Sequence, residues 1–179
     1  STLSKLIAKK LNSMKGKLNY PKKLKIGYFA QHQLDELRSN ETPFEHLYSK
    51  LDKELPSKIR AKLGSVGFTQ DTMDIEVKRL SGGQKARLLL LLVVIEKPDL
   101  LILDEPTNHL DLETITAFNN SLKRFKGTVI LSTQDQQFAQ TIANRIIELT
   151  PSGIIDRYMN FEEYMNDSKI KEIRNSMYL

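Results

Sequence analysis

Two adjacent acids, Asp104 and Glu105, close the apolar run 100–103, and a strand of that composition has no structural need of a carboxylate pair at its end. The bland reading is a strand-to-loop transition. The chemical reading is that Asp104 holds Mg2+ directly or through water, while Glu105 orients or deprotonates a water attacking a phosphoryl group. Upstream, Leu80-Ser81-Gly82-Gly83-Gln84-Lys85 opens a helix with a small polar turn. In one reading Ser81 caps the helix, Gln84 reaches back and the glycines permit the turn. In the other, N–H groups left open at Gly82 and Gly83 bind a phosphate with help from the helix dipole. The two readings are compatible. Gln31 and Gln134 follow two further apolar runs, so with Asp104 they sit where three strands end, the edge at which layered α/β sheets bind ligands.

Positioning these groups requires the following elements. Leu3, Leu6, Ile7 and Leu11 predict a helix over 2–11, and residues 24–29 read as a strand. Thr42, Pro43 and Glu45 make a capping box ahead of a buried stripe of Phe44, Leu47, Tyr48 and Leu51. A helix from Pro56 carries Ile59, Leu63 and Val66 and stops near Gly67, and 71–78 reads as polar loop. The helix over 81–96 is apolar on every side from Leu88 to Ile95, and the strand over 100–103 is a continuous apolar run, as a central parallel strand is. Asp111 caps a helix with Ile115, Phe118, Leu122 and Phe125 inward, and a strand follows over 128–131. A helix over 137–143, a hairpin turning at Pro151-Ser152 and a tail capped by Asn160 and Glu163 complete the chain. The fold class is α/β: a layered, mostly parallel sheet with a helical subdomain inserted over about 34–96, and a hairpin and helical tail over about 150–179.

Composition bounds the partners. The 179 residues, 40% hydrophobic, suit one globular domain, and the longest apolar run is far short of a membrane span. The absence of cysteine excludes disulfides and fits a reducing, cytoplasmic setting. The net charge of +5 is local: residues 1–34 hold eight lysines and no acid. Those lysines suit nucleic-acid phosphate, or else form a solvated face.

Taken together, Leu80 to Lys85, the apolar helix and Leu100 to Glu105 resemble the ATP-binding cassette ATPases, with the signature motif ahead of the Walker B strand. Within them, Asp104-Glu105-Pro106-Thr107-Asn108-His109-Leu110-Asp111 and Gly27-Tyr28-Phe29-Ala30-Gln31-His32-Gln33 look like the ABC-F subfamily. The resemblance implies a partial nucleotide-binding domain over 1–179, the C-terminal cassette of a soluble protein that uses ATP and Mg2+, often on the ribosome. It implies Asp104 as the Walker B aspartate, Glu105 as catalytic base and Gln31 as the Q-loop glutamine beside Mg2+. His109 to Asp111 would form the D-loop, and Ser81, Gly82, Gly83 and Gln84 would meet the γ-phosphate of a nucleotide held by a second, facing cassette.

Two departures follow. Ser1-Thr2 resembles only the last residues of the Walker A loop, so Ser1 could supply the Mg2+ hydroxyl while the glycine loop and its lysine are lacking. Gln134 stands where the family has its switch histidine, and an amide can donate a hydrogen bond but cannot carry a proton. A second expectation is therefore a catalytically decayed cassette acting as a protein or RNA interaction module through its lysine-rich start. A third is a transporter ATP-binding subunit. His32 and His46 share no metal-ligand spacing with a partner and read as surface or packing residues.

Overall fold

The computed structural model describes residues 1–108 and 110–178; the side chain of Gln31 also lies outside the described part. The chain forms two compact units, Ser1–Ser132 and Thr133–Leu179. The first runs through α1 (Thr2–Ile7), β1 (Ile26–Ala30), α2 (Pro43–Tyr48), α3 (Pro56–Ser65) and α4 (Gln70–Met73). It continues with α5 (Gly82–Val94), β2 (Leu100–Asp104), α6 (Leu112–Lys123) and β3 (Thr128–Ser132).

The three strands form a parallel sheet in the order β1-β2-β3. Every residue of β2 is buried, as its unbroken apolar run requires of a strand covered on both faces. Strand alternation divides that cover. Tyr28, Ala30, Leu100 and Ile102 face one way and pack against Ile7 and Ala8 at the end of α1. On the other face Phe29 meets Phe118 of α6 edge-on, ring centroids 5.3 Å apart, and Gly27 lies so close to Val93 of α5 that a Cβ would come within 2.7 Å of it. Each fully buried large apolar side chain contributes about 1.5–3 kcal/mol. Register is equally definite: Ala30 pairs with Asp104, and Asp104 with Ser132, so all three strands end at one level.

Several local expectations are corrected. The first helix ends at Ile7 rather than 11, leaving Leu3 and Leu11 exposed. Lys9 takes a left-handed φ of 59°, while its N–H donates to Leu6 O and that of Lys10 to Lys5 O. That is a Schellman ending with lysine where glycine is usual, so the sequence carried no stop signal. By contrast α3 ends in the same motif with glycine: Gly67 has φ 85°, its N–H donates to Gly64 O and that of Phe68 to Leu63 O. Segment 71–78 is not a polar loop, since it contains most of α4 and a 3-10 turn, and buries Met73 and Val77. The N–H groups of Val77 and Lys78 donate to Glu41 O and Ser39 O, tying the segment ahead of α2. Tyr48 leaves its expected stripe, being exposed and stacked on Phe44. His46 is buried, with Nδ1 donating to Thr42 O and Nε2 accepting from the Arg38 N–H, so both ring nitrogens serve packing.

The second unit comprises α7 (Gln136–Ile142), the antiparallel hairpin of β4 (Ile146–Thr150) and β5 (Gly153–Arg157), α8 (Phe161–Asn166) and α9 (Ser168–Met177). Ile155, Tyr164 and Ile170 form its core, with Ile173 and Met177 against them. Beside this core the Glu148 carboxylate accepts hydrogen bonds from the hydroxyls of Tyr164 and Tyr178 and from Arg174 Nε. Burial pushes the Glu148 carboxyl up, but the three donors outweigh it and hold the group below the usual glutamate range. A carboxyl depressed in the folded state stabilises fully above its unfolded pKa, and that contribution is lost as pH falls through the folded value. Amide protection in α9, corrected for intrinsic exchange rates, is therefore expected to drop on acidification, and Glu148→Gln to lower it at neutral pH and flatten that dependence. Unchanged α9 exchange in the variant would contradict this account.

Candidate functional site

The level ending of the strands brings Asp104 to the edge of the sheet, and α1 brings Ser1 to it. Ser1 Oγ donates to Asp104 Oδ1 at 3.0 Å, and the Tyr28 hydroxyl donates to Oδ2 at 3.2 Å. Asp104 is only 4% exposed, and Tyr28 is buried beside it. Burial, then the charge of Asp104 and its hydrogen bond, push the Tyr28 phenol up to about 12, so it stays a donor at neutral pH. Thr2, exposed, is the first residue of α1. Gln31 opens the 3-10 stretch that follows β1, its side chain outside the described part. That stretch is held to the strand by Gln33, whose Oε1 accepts the Ala30 N–H at 2.9 Å.

Glu105 has a φ of 50°, a left-handed conformation that costs a non-glycine residue about 1–3 kcal/mol. Its N–H donates to Ser132 O at 2.8 Å, one step beyond the Asp104–Ser132 pairing. An extended strand would send Asp104 and Glu105 to opposite faces, and the left-handed residue breaks that alternation. His109 lies outside the described residues. Asp111 caps α6, accepting the Thr114 N–H at 2.7 Å. That N–H, above all, holds the Asp111 carboxyl below the usual aspartate range, and the charge of Arg87 acts in the same direction.

The signature turn is a capping box: Ser81 Oγ accepts the Gln84 N–H, and Gln84 Oε1 accepts the Ser81 N–H. Anion binding would rest on the N–H groups of Gly82 and Gly83, which have no partner within the helix. The two glycines differ. Gly82 is exposed, and a Cβ there would meet nothing within 4 Å. Gly83 is buried, and a Cβ there would fall 2.6 Å from Thr114 Oγ1 and 2.8 Å from Asp111 Oδ2. Only glycine lets the start of α5 approach the start of α6 this closely.

Ser1 and Asp104 thus meet directly, while Ser81 to Gln84 form a separate turn locked onto Asp111. Gln134 belongs to the second unit, exposed, beside Asp135, which caps α7 by accepting the Phe138 N–H. A groove of about 550 Å³ is lined in part by Tyr28, Gln33, Arg38, Lys50 and Glu96, with neither Asp104 nor Glu105 in its wall, and Lys50 and Glu96 pair with each other within it. Sequence reading missed Tyr28 and Gln33. The residue of β1 that lies opposite Asp104 is set by strand pairing across the helical insertion, which the local sequence does not signal.

Gly83→Ala is expected to destabilise the fold by about 1–3 kcal/mol in denaturant unfolding, by overpacking. Gly82→Ala is expected to stay within about 0.5 kcal/mol of the parent. Equal effects at both positions would overturn this distinction.

Residues 1–108 match the family model described as ABC transporter. "Probable ATP-binding protein YheS" of Escherichia coli K12 is 45% identical over 141 residues, covering 79% of this chain and 22% of that protein. "Uncharacterized ABC transporter ATP-binding protein YkpA" of Bacillus subtilis is 35% identical over 99% of this chain and 33% of its own length. "ABC transporter F family member 4" of Dictyostelium discoideum is 35% identical over 98% of this chain and 15% of its own length. The chain therefore spans a third or less of these relatives. Among solved structures, an ABC transporter in an inward-facing conformation superposes with a TM-score of 0.69 at 18% identity, covering 98% of this chain and 72% of that one. The dimeric ATP-binding cassette MJ0796, bound to ADP and Pi in a post-hydrolysis state, gives 0.55 at 24% identity over 69% of this chain and 58% of that one. Both are likenesses of fold. No described helix is long and apolar enough to cross a membrane. With the signature turn, the acidic strand end and the parallel sheet in place, the chain belongs to the ATP-binding cassette ATPases, and its relatives are consistent with the ABC-F branch.

Proposed function

We propose that the chain is the C-terminal cassette of an ABC-F protein, in the cytoplasm, that couples ATP binding and hydrolysis to a conformational change in translation on the ribosome. The reaction is ATP plus water to ADP and phosphate. One observation carries this reading: the common ending of Ala30, Asp104 and Ser132 puts Asp104 and Glu105 at one edge, with Ser1 Oγ already on Asp104.

Asp104 Oδ1 and Ser1 Oγ are hard oxygen donors 3.0 Å apart, and the described residues hold no cluster of three His, Cys, Asp or Glu that would cage a metal. Such a donor set fits Mg2+, which usually takes one or two protein ligands and completes its shell with water and substrate phosphate. The ion would neutralise charge developing on the transferred phosphoryl group. By resemblance to the family, Gln31 would be the Q-loop glutamine that serves the cation. Glu105 accepts a hydrogen bond from the attacking water and takes its proton. By resemblance, Gln134 stands at the position of the family's histidine, and an amide can donate a hydrogen bond but cannot relay a proton. Thr2 follows Ser1 at the start of α1 and by resemblance would meet the phosphates. Ser81, Gly82, Gly83 and Gln84 would present their helix start to the nucleotide of a second cassette, and by resemblance the family's D-loop takes in His109 and Asp111. The dimeric state of the MJ0796 cassette supports a facing partner, from the same polypeptide or another chain.

In the complete polypeptide, Glu105→Gln is expected to lower ATP turnover at least ~100-fold while leaving ATP binding intact, by loss of a general base. Turnover unchanged by that substitution, or absent even with Gln134→His, would defeat the hydrolytic reading.

A second reading, a binding module for RNA, has its own observation: none of the eight lysines in residues 1–34 forms an ion pair among the described residues. Lys9 instead lies 4.3 Å from the centre of the Tyr20 ring. RNA affinity should then fall steeply and log-linearly with salt, and binding indifferent to salt would exclude it.

A further inference from the structure

Asp104 carries a restraint that the cassette motifs do not name. Its two carboxylate oxygens have different donors, Ser1 Oγ on Oδ1 and the Tyr28 hydroxyl on Oδ2. Turning the carboxylate about its Cβ–Cγ bond would break both bonds, so the pair of donors fixes its plane. The phenol is well placed to act as a stop. Tyr28 pairs with Ile102 and Ala30 with Asp104, so the ring stands one pleat behind the acid on the neighbouring strand, and the residue directly opposite the acid is small. Diagonal neighbours at that spacing are within reach of an aromatic side chain. Tyr28 is buried in a cluster with Ala30, Leu100 and Ile102, against which Ile7 packs.

We propose that Tyr28 is a positioning residue for the cation site: its hydroxyl holds Asp104 Oδ2 and thereby turns Oδ1, beside Ser1 Oγ, toward the divalent metal. This rests on the reading of Asp104 as the metal-holding carboxylate. Hydrogen-bond partners of a ligating carboxylate typically govern metal affinity by roughly 10–100-fold. The bond also has a protective side, since an acid this deeply buried would otherwise keep an oxygen without a donor.

The test uses the 179-residue chain and Mn2+ alone, a paramagnetic substitute for Mg2+, titrated while NMR line broadening is read at the amides around Asp104. The parent is expected to show saturable broadening there, Asp104→Asn to lose it, and Tyr28→Phe to need roughly 10-fold more Mn2+. Ile102→Val, which trims the packing beside the ring and keeps the hydroxyl, is expected to leave the Mn2+ affinity at the parent value, with circular dichroism confirming that each variant is folded. Parent affinity in Tyr28→Phe alongside loss in Asp104→Asn would overturn the positioning role and leave the metal assignment standing. Ile102→Val as weak as Tyr28→Phe would also overturn it, by showing that packing alone sets the affinity. Parent-like broadening in Asp104→Asn, or none in the parent, would remove the metal assignment and Tyr28's role with it.

Discussion

A charge-bearing group at the end of a fully buried strand is the constraint on which the rest of the first unit depends. β2 is apolar because both its faces are covered, and covering both faces brings Asp104 to 4% exposure. A carboxylate in that position costs several kcal/mol unless it is hydrogen-bonded. The two donors come from elements far apart in sequence, Ser1 at the head of α1 and Tyr28 on β1. Their convergence requires the parallel pairing of β1 with β2 in one register, because a one-residue slip would turn Tyr28 to the opposite face. The acid is thus both a chemical group and a device that specifies register.

A second close approach organises the opposite side of the loop that follows. Gly83 lets α5 begin against Asp111 and Thr114 at the head of α6, and the Asp111 cap fixes where α6 starts. The signature turn and the end of the acidic loop are therefore packed as one piece. In the proposed function that piece faces a neighbour's nucleotide, while Asp104 and Glu105 face the nucleotide of their own cassette. A loop strained at Glu105 and capped at Asp111 joins the two. On that proposal, binding at one nucleotide would have a short covalent route to the residues that serve the other.

Much of this was legible in the residues. β2 declared itself by its run of leucine and isoleucine, the capping boxes at Thr42, Ser81 and Asn160 by their spacing, and the ends of the strands by the polar residues that follow them. What stayed hidden has physical causes. The stop of α1 rests on a lysine in a conformation that sequence rules assign to glycine, whereas the identical stop of α3 was visible because Gly67 makes it. The folding of 71–78 depends on Met73 and Val77 finding a core supplied by other segments, which local periodicity cannot show. The tie from Tyr28 to Asp104 depends on strand pairing across the whole helical insertion. The unequal duties of Gly82 and Gly83 appear only when α6 is set beside them.

The backbone at Glu105 bears on evolvability. A non-glycine residue at φ 50° is a standing local cost, and glycine or asparagine would relieve it. On the backbone conformation alone this position favours glycine or asparagine over glutamate. In the proposed function the chemistry of the acid offsets that local cost, as it does for strained residues at functional sites. A cassette released from the demand for that chemistry has a single-substitution route to a less strained backbone at position 105.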